Sequence, residues 1–141
     1  MSNVKEVPVF LFTGFLESGK TKFIQETLED KRFNSGERTL LVVCEEGEEE
    51  YAPDKFSAPN VFMVTVEEPE ELTRDAFRKW RDQYNCERCV IEYNGMWMLD
   101  DLYQALPEMW MVYQEFFFAD ARSILSYNAN MRNLVYDKLK S

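Results

Sequence analysis

Residues Gly14 to Thr21 read GFLESGKT and lie between an apolar run, VPVFLFT, and a segment with helical spacing, KFIQETLEDK. The stretch has the pattern G-x-x-x-x-G-K-[ST], which is typical of a loop whose backbone N–H groups surround phosphate oxygens. Glycines permit the sharp turn from strand to helix and the close approach of the backbone to the ligand. The helix that begins near Lys20 adds N–H groups and the positive end of its dipole. The stretch therefore predicts a strand–loop–helix unit that holds a phosphate group.

The polar groups of this loop have distinct expected roles. The residues expected to contact the nucleotide through their backbone are Gly14, Glu17, Ser18 and Gly19. Lys20 is expected to neutralise the β- and γ-phosphates, with an ammonium that is accessible to solvent and paired only with ligand. Thr21 is placed to ligate the Mg²⁺ that accompanies a triphosphate. The alternative is a surface turn that matches the pattern by accident, with a chance on the order of one in two hundred for a chain of this length.

The rest of the chain alternates short apolar runs with segments of helical spacing. Strands are predicted at residues 7–12, 39–44, 61–66, 89–93 and 115–119. Helices are predicted to begin near Lys20, to begin with Pro69 in the first turn, and to cover residues 99–106 and 124–139. Such alternation predicts an α/β fold with a mainly parallel sheet and helices on both faces. Because ligands on these sheets bind beyond the carboxyl ends of the strands, polar residues at those ends are candidates for the site.

Composition limits the class of protein. The 141 residues suit one domain, residues 1–141, and no apolar run approaches the roughly 20 residues of a membrane span. The formal net charge of −10 argues against a nucleic-acid partner, since the surface would repel a polyanion. The start of the chain has no signal-peptide pattern and the three cysteines cannot all pair, so a reducing cytoplasmic location is expected. The chain has no histidine, so a metal site would need thiolate or carboxylate ligands.

Three strand ends carry candidate ligands. Glu92 lies at the end of strand 89–93, and Gly95 follows it by three residues. At this place Glu92 suits a carboxylate beside magnesium-bound water, and Gly95 suits an N–H group near the γ-phosphate. Strand 39–44 runs into the acidic stretch that contains Glu46, which could hold a hard cation or could be a solvated loop. Strand 115–119 is followed by Asp120, which could equally be a helix N-cap.

In this order the pieces resemble the nucleotide-binding domain of the CobW/HypB/UreG family of P-loop GTPases, from about residue 8 to about residue 120. GFLESGKT is similar to the family loop GFLGAGKTT, with Lys22 in place of the second threonine. VVCEEGEEEY resembles the strand followed by NE-x-G-E, which places Glu46 on the family glutamate. CVIEYNG resembles IETTG, which places Glu92 on the magnesium side and Gly95 at the γ-phosphate. FFFADA resembles the strand that ends in VVDA.

The resemblance implies slow, magnesium-dependent GTP hydrolysis used as a switch in metallocentre or cofactor assembly, with a client metalloenzyme or cofactor protein as partner. Lys20 and Glu92 would be the catalytic residues, and Thr21, Glu92 and Glu46 would lie at the metal. The family's C-x-C-C motif and histidine-rich tail are absent from this sequence, as is the N-K-x-D element that reads guanine. The chain is therefore expected to be a shortened protein or the first part of a longer one.

The pair Cys86 and Cys89 forms a C-x-x-C motif. It could bind zinc or another transition metal, but a structural zinc site needs four ligands and no second pair is present. A second copy of the chain in a homodimer could supply the others. The simpler interpretation is that Cys89 begins a buried strand as a small apolar residue.

Two other functions are compatible with the motif. The phosphate loop alone would also suit a small ATP-using kinase, which would need a second substrate pocket and would prefer adenine. A module that binds nucleotide without turnover is the other alternative.

Overall fold

The computed structural model describes residues 6–14, 19–44, 50–118 and 124–126. Its regular elements, in chain order, are β1 (Val7–Gly14), α1 (Lys20–Glu29), β2 (Thr39–Val43), β3 (Val61–Thr65), α2 (Arg74–Tyr84), β4 (Arg88–Glu92), α3 (Leu99–Ala105), β5 (Trp110–Phe118) and β6 (Ile124–Ser126). Single 3-10 turns lie at Pro53–Lys55 and Pro69–Glu71. None of the helices within these ranges is long and apolar enough to cross a bilayer.

The strands form one sheet in the order β3-β2-β4-β1-β5-β6. The first five strands of that order are mutually parallel, and β6 pairs antiparallel with β5. The connection that leaves β1 runs to β2 on one side, whereas the connection that leaves β4 runs to β5 on the other side. The adjacent strands β1 and β4 therefore form the point at which the winding reverses, and open α/β sheets bind ligands beyond the carboxyl ends of the strands at such a point.

Two apolar clusters, one on each face of the sheet, hold the helices in place. On one face Phe23, Ile24 and Leu28 of α1 pack with Phe12 of β1 and Phe116 of β5. On the other face α2 and α3 pack against the residues of β1 that alternate with Phe12. The alternation along buried parallel strands thus serves both faces. These observations confirm the predicted α/β class with a mainly parallel sheet and helices on both faces.

Several element boundaries differ from the sequence prediction for local reasons. The turn at Pro69–Glu71 is separate from α2, because Glu68 and Glu71 form a capping box and Thr73 accepts a hydrogen bond from the Ala76 N–H to begin the α-helix. Strand β5 begins at Trp110, five residues before the predicted start.

The prediction of a helix over 124–139 was wrong for its first three residues. Residues Ile124–Ser126 form β6 and pair with Phe116–Phe118, since the backbone groups at the free edge of β5 need hydrogen-bond partners. That tertiary pairing overrides the local helical spacing. The remainder of the predicted helix lies outside the described residues.

Candidate functional site

The candidate site lies where β1 and β4 end side by side. Phe12 is in register with Glu92, and the Tyr93 N–H donates to the Phe12 carbonyl at 2.8 Å. Gly14 and Glu92 are the last residues of their strands. Helix α1 begins at Lys20, six residues after the end of β1, and the Lys20 and Thr21 side chains contact the end of β4, so the start of α1 and the end of β4 lie at the same edge of the sheet.

At this edge Thr21 and Glu92 are in direct contact. The Thr21 Oγ1 hydroxyl donates to Glu92 Oε2 at 2.8 Å, across 71 residues of sequence. The Glu92 side chain is only 2% exposed. A buried carboxylate is costly unless hydrogen bonds stabilise it, so the contact is an organised feature of the fold. The two residues predicted independently to serve one magnesium ion are therefore neighbours.

Tyr51 is a third member of this cluster, and the sequence interpretation did not include it. Its hydroxyl donates to Glu92 Oε1 at 2.6 Å, so both oxygens of the carboxylate accept hydrogen bonds. Burial, reinforced by the negative charge of Glu92, raises the pKa of the Tyr51 phenol well above its usual value. The phenol is therefore a stable donor. The only signal in the sequence was an aromatic residue at the end of an acidic run, and nothing there linked it to Glu92.

The prediction for the surroundings of Lys20 was wrong. The side chain is 3% exposed, and its Nζ donates to the Gly14 carbonyl at 2.8 Å and to the more distant Tyr93 carbonyl at 3.5 Å. The ammonium is thus buried and bonded to protein carbonyls, because β1 and β4 end next to the first turn of α1. Lys20 still lies at the predicted edge of the sheet, between the ends of these two strands.

The two glycines of the motif have different structural requirements. Gly14 has φ of +135°, and a Cβ there would lie 2.3 Å from the Phe118 carbonyl oxygen. Its small size is therefore required by the approach of β5. Gly19 has φ of +90°, and a Cβ there would meet no atom within 4 Å among the described residues. A glycine is therefore favoured at position 19 by its positive φ, which other residues rarely adopt.

The first turn of α1 has an unusual charge pattern. It carries Lys20 and Lys22 and no acidic residue, and its N-cap, Gly19, has no side chain to bond the first N–H groups. Helices are normally stabilised by acidic residues at this end, so this arrangement is unfavourable for the helix alone. An anion bound at this end would compensate for it.

Gly95 lies in an exposed turn beyond β4. The turn is closed by the Met96 N–H, which donates to Asn94 Oδ1 at 2.8 Å, and by the Trp97 N–H, which donates to the Asn94 carbonyl at 3.1 Å. Gly95 itself is exposed within this turn. Its role near a γ-phosphate stays a prediction. Four other candidates, Glu17, Ser18, Glu46 and Asp120, lie outside the described residues.

A metal held by protein side chains alone is not found in the part of the chain that the structure describes, where no three His, Cys, Asp or Glu residues cluster suitably. Magnesium beside a triphosphate needs fewer protein ligands, because it retains several waters and uses one or two carboxylates. Thr21 and Glu92 fit that requirement.

The three cysteines are all buried. Burial raises the pKa of Cys86 to about 11 and that of Cys89 well above its usual value. Metal binding and disulfide exchange both require thiolates, so these environments favour the interpretation that Cys89 is a small apolar residue.

No protein-family model, curated protein or solved structure matches this chain, so its sequence motifs and the geometry of this site are the basis for a function.

Proposed function

We propose that this chain has a P-loop NTPase fold and binds a nucleoside triphosphate with Mg²⁺ at the carboxyl ends of β1 and β4, where it hydrolyses GTP slowly. The contact between Thr21 and Glu92 carries the proposal. A phosphate-loop motif predicts a hydroxyl that binds the magnesium ion. A carboxylate near that ion is expected from the end of a neighbouring strand. Adjacent parallel strands bring these two residues to one edge of the sheet, and the hydrogen bond between their side chains adds the direct contact that a shared magnesium ion would need.

The chain's own residues divide into anion-binding and cation-binding groups. Lys20 and the first N–H groups of α1 would bind the phosphate oxygens. Thr21 would contact magnesium directly, and Glu92 would orient a magnesium-bound water. Magnesium, when bound, supplies positive charge that stabilises the triphosphate oxygens. Catalysis would then consist of positioning and electrostatic stabilisation, without a covalent intermediate.

Lys20 would exchange its present partners on binding. Its ammonium donates to two neutral carbonyls, and a phosphate oxygen attracts the ammonium more strongly because it carries a negative charge of its own. The exchange is therefore favourable at short range. The Gly14 and Tyr93 carbonyls keep the ammonium at the edge of the sheet where β1 and β4 end. The side chain would therefore need only a local movement to reach a phosphate bound there.

The acidic surface makes a local site necessary. With a net charge of −10, the chain repels an anion at long range, and screening limits that repulsion to about 8 Å at physiological salt. Inside that distance Lys20, Lys22 and the N-terminus of α1 present positive charge to a ligand. A compact, highly charged ligand accompanied by a cation suits such a site better than an extended polyanion does.

The choice of GTP and the biological role depend on the resemblance to the CobW/HypB/UreG family. On that basis hydrolysis would act as a switch in metallocentre or cofactor assembly, and a client metalloenzyme or cofactor protein would read the switch. The positive φ of Gly19 at the start of α1 and the Thr21–Glu92 contact support the binding of Mg²⁺-triphosphate, and neither distinguishes the base.

A phosphate-release assay tests the proposal. The chain is incubated with GTP or ATP, with and without Mg²⁺, beside Thr21→Val and the control Thr65→Val, which removes an exposed threonine on the edge strand β3. We expect slow release that requires Mg²⁺ and is lost only in Thr21→Val. Nucleotide binding without release would identify a binding module, and phosphate transfer from ATP to a second substrate would identify a kinase. Absence of any binding would contradict the proposal.

A further inference from the structure

The segment that contains Tyr51 is fixed along α1 by backbone and side-chain hydrogen bonds. Gln25 Oε1 accepts from the Ala52 N–H at 2.8 Å, and Gln25 Nε2 donates to the Ala52 carbonyl at 3.0 Å. Further along, the Ser57 N–H donates to the Leu28 carbonyl at 3.1 Å. The reciprocal pair at Ala52 holds both polar groups of one backbone unit. The position of the adjacent residue, Tyr51, is consequently set by α1.

The same helix also presents Thr21 to Glu92. Gln25 follows Thr21 by four residues, so the two side chains lie on one face of α1. One face of α1 therefore positions two hydroxyl groups that donate to Glu92. Thr21 belongs to α1 itself, and Tyr51 is held by the bonds between Gln25 and Ala52. The Tyr51 ring also packs against the apolar cluster that contains Phe12, and this contact limits the movement of the ring.

We propose that Tyr51 is a positioning residue that orients the Glu92 carboxylate for magnesium in the triphosphate site. This inference rests on the function proposed above. The terminal torsion of a glutamate is broad, so a hydrogen bond to one oxygen does not by itself fix the plane of the carboxylate. A donor on each oxygen fixes the plane of the carboxylate. The Thr21 and Tyr51 hydroxyls are uncharged, so these two bonds orient the carboxylate without neutralising the charge that attracts a cation.

The test is a magnesium titration of nucleotide binding with the variant Tyr51→Phe, which keeps the ring and removes only the hydroxyl. The control is Tyr103→Phe, because the Tyr103 hydroxyl also bonds a glutamate, Glu115, away from the candidate site. A fluorescent GTP analogue is titrated at fixed concentration with Mg²⁺, and separately without it in the presence of a chelator. We expect the Mg²⁺ concentration at half-saturation to rise about tenfold in Tyr51→Phe, with affinity in the chelator changed less than about twofold.

A second variant tests how Tyr51 is held. Gln25→Ala removes both hydrogen bonds to Ala52 and leaves the Tyr51 hydroxyl intact, so we expect a smaller shift in the same direction. The double variant is expected to match Tyr51→Phe alone, because Gln25 acts through Tyr51 and the two effects are then not additive.

The outcomes separate this inference from the proposed function. A wild-type chain that binds no triphosphate overturns both. A wild-type chain that binds with Mg²⁺, but whose magnesium titration coincides with that of Tyr51→Phe, overturns only the positioning role. A lower melting temperature in Tyr51→Phe without a change in the Mg²⁺ half-saturation would show that the hydroxyl is merely structural, which also overturns it.

Discussion

The Lys20 ammonium donates to the Gly14 carbonyl oxygen 2.8 Å away, so the lysine near the end of the phosphate-loop motif is bonded to the glycine that begins it. The lysine is 3% exposed, and it therefore contributes to the folded state as well as to any ligand. A substitution at this position is expected to change stability and binding together. This differs from the expectation for a lysine that reaches only into solvent.

Lys20→Met tests this double role against Lys22→Met, a substitution of an exposed lysine in the same turn. The methionine keeps most of the stem but leaves the Gly14 carbonyl without its donor, so we expect unfolding to become about 1–3 kcal/mol easier. Triphosphate affinity should fall at least a hundredfold, whereas Lys22→Met should retain stability and most of the affinity. Chemical denaturation and nucleotide titration measure the two effects. Unchanged affinity in Lys20→Met would remove this lysine from the site.

Three glycine-to-alanine substitutions separate packing from ligand binding. Gly14→Ala should destabilise most, by more than about 3 kcal/mol, because its Cβ would lie 2.3 Å from the Phe118 carbonyl oxygen. Gly19→Ala and Gly36→Ala, at φ of +90° and +115° and with no described atom within 4 Å of the added Cβ, should each cost about 1–2 kcal/mol from backbone strain. Of the last two variants, only Gly19→Ala should also weaken triphosphate binding. Equal binding by the last two variants would show that the space beside Gly19 is not a phosphate cradle.

Glu92→Gln should retain nucleotide but weaken its dependence on magnesium. The change removes one negative charge from the ion's surroundings and leaves one amide N–H₂ facing a hydroxyl donor, either Thr21 or Tyr51. Glu115→Gln is the matched control, since Glu115 also accepts from a tyrosine, Tyr103. Magnesium titrations at fixed nucleotide should shift at least about tenfold for Glu92→Gln alone. Coincident curves would show that Glu92 is structural.

The buried Cys86 thiol predicts a loss of stability in alkaline solution. Burial raises its folded-state pKa to about 11 from an ordinary value of 9.0, so the thiol stays protonated in the folded chain when the unfolded chain has already ionised. Its contribution is fully present below pH 9 and is lost as the pH rises through 11. The free energy of unfolding of wild type minus that of Cys86→Ala should fall over this window. A difference independent of pH would contradict the assigned environment.

Local sequence patterns were sufficient to predict the α/β class, because each buried strand is a nearly continuous apolar run and the helices show 3.6-residue spacing. The two residues that meet at the site, Thr21 and Glu92, were both identified from their motifs. Their proximity follows from adjacent parallel strands, a relationship that the alternation of elements implies.

Features that depend on tertiary packing were not accessible in the same way. The Tyr51–Glu92 bond requires the segment after β2 to follow α1, and that path is set by Gln25 and Ala52 rather than by a local pattern. The burial of Lys20 depends on where the Gly14 and Tyr93 carbonyls point. The pairing of β6 with β5 depends on a free sheet edge, which local helical spacing does not reveal.

The most direct test of the central claim is displacement of a fluorescent nucleotide from the 141-residue chain by GTP, ATP and GMP, with and without Mg²⁺. The proposed site would contact phosphates and magnesium, and the sequence has no N-K-x-D element to read guanine. With Mg²⁺, the triphosphates should therefore compete at least about a hundredfold better than GMP. The affinities for GTP and ATP should lie within roughly tenfold of each other, a difference of about 1.4 kcal/mol in binding free energy. Chelation of Mg²⁺ should weaken the binding of both. Equal competition by GMP and GTP, or no displacement by any of them, would contradict the assignment of a Mg²⁺-triphosphate site to the ends of β1 and β4.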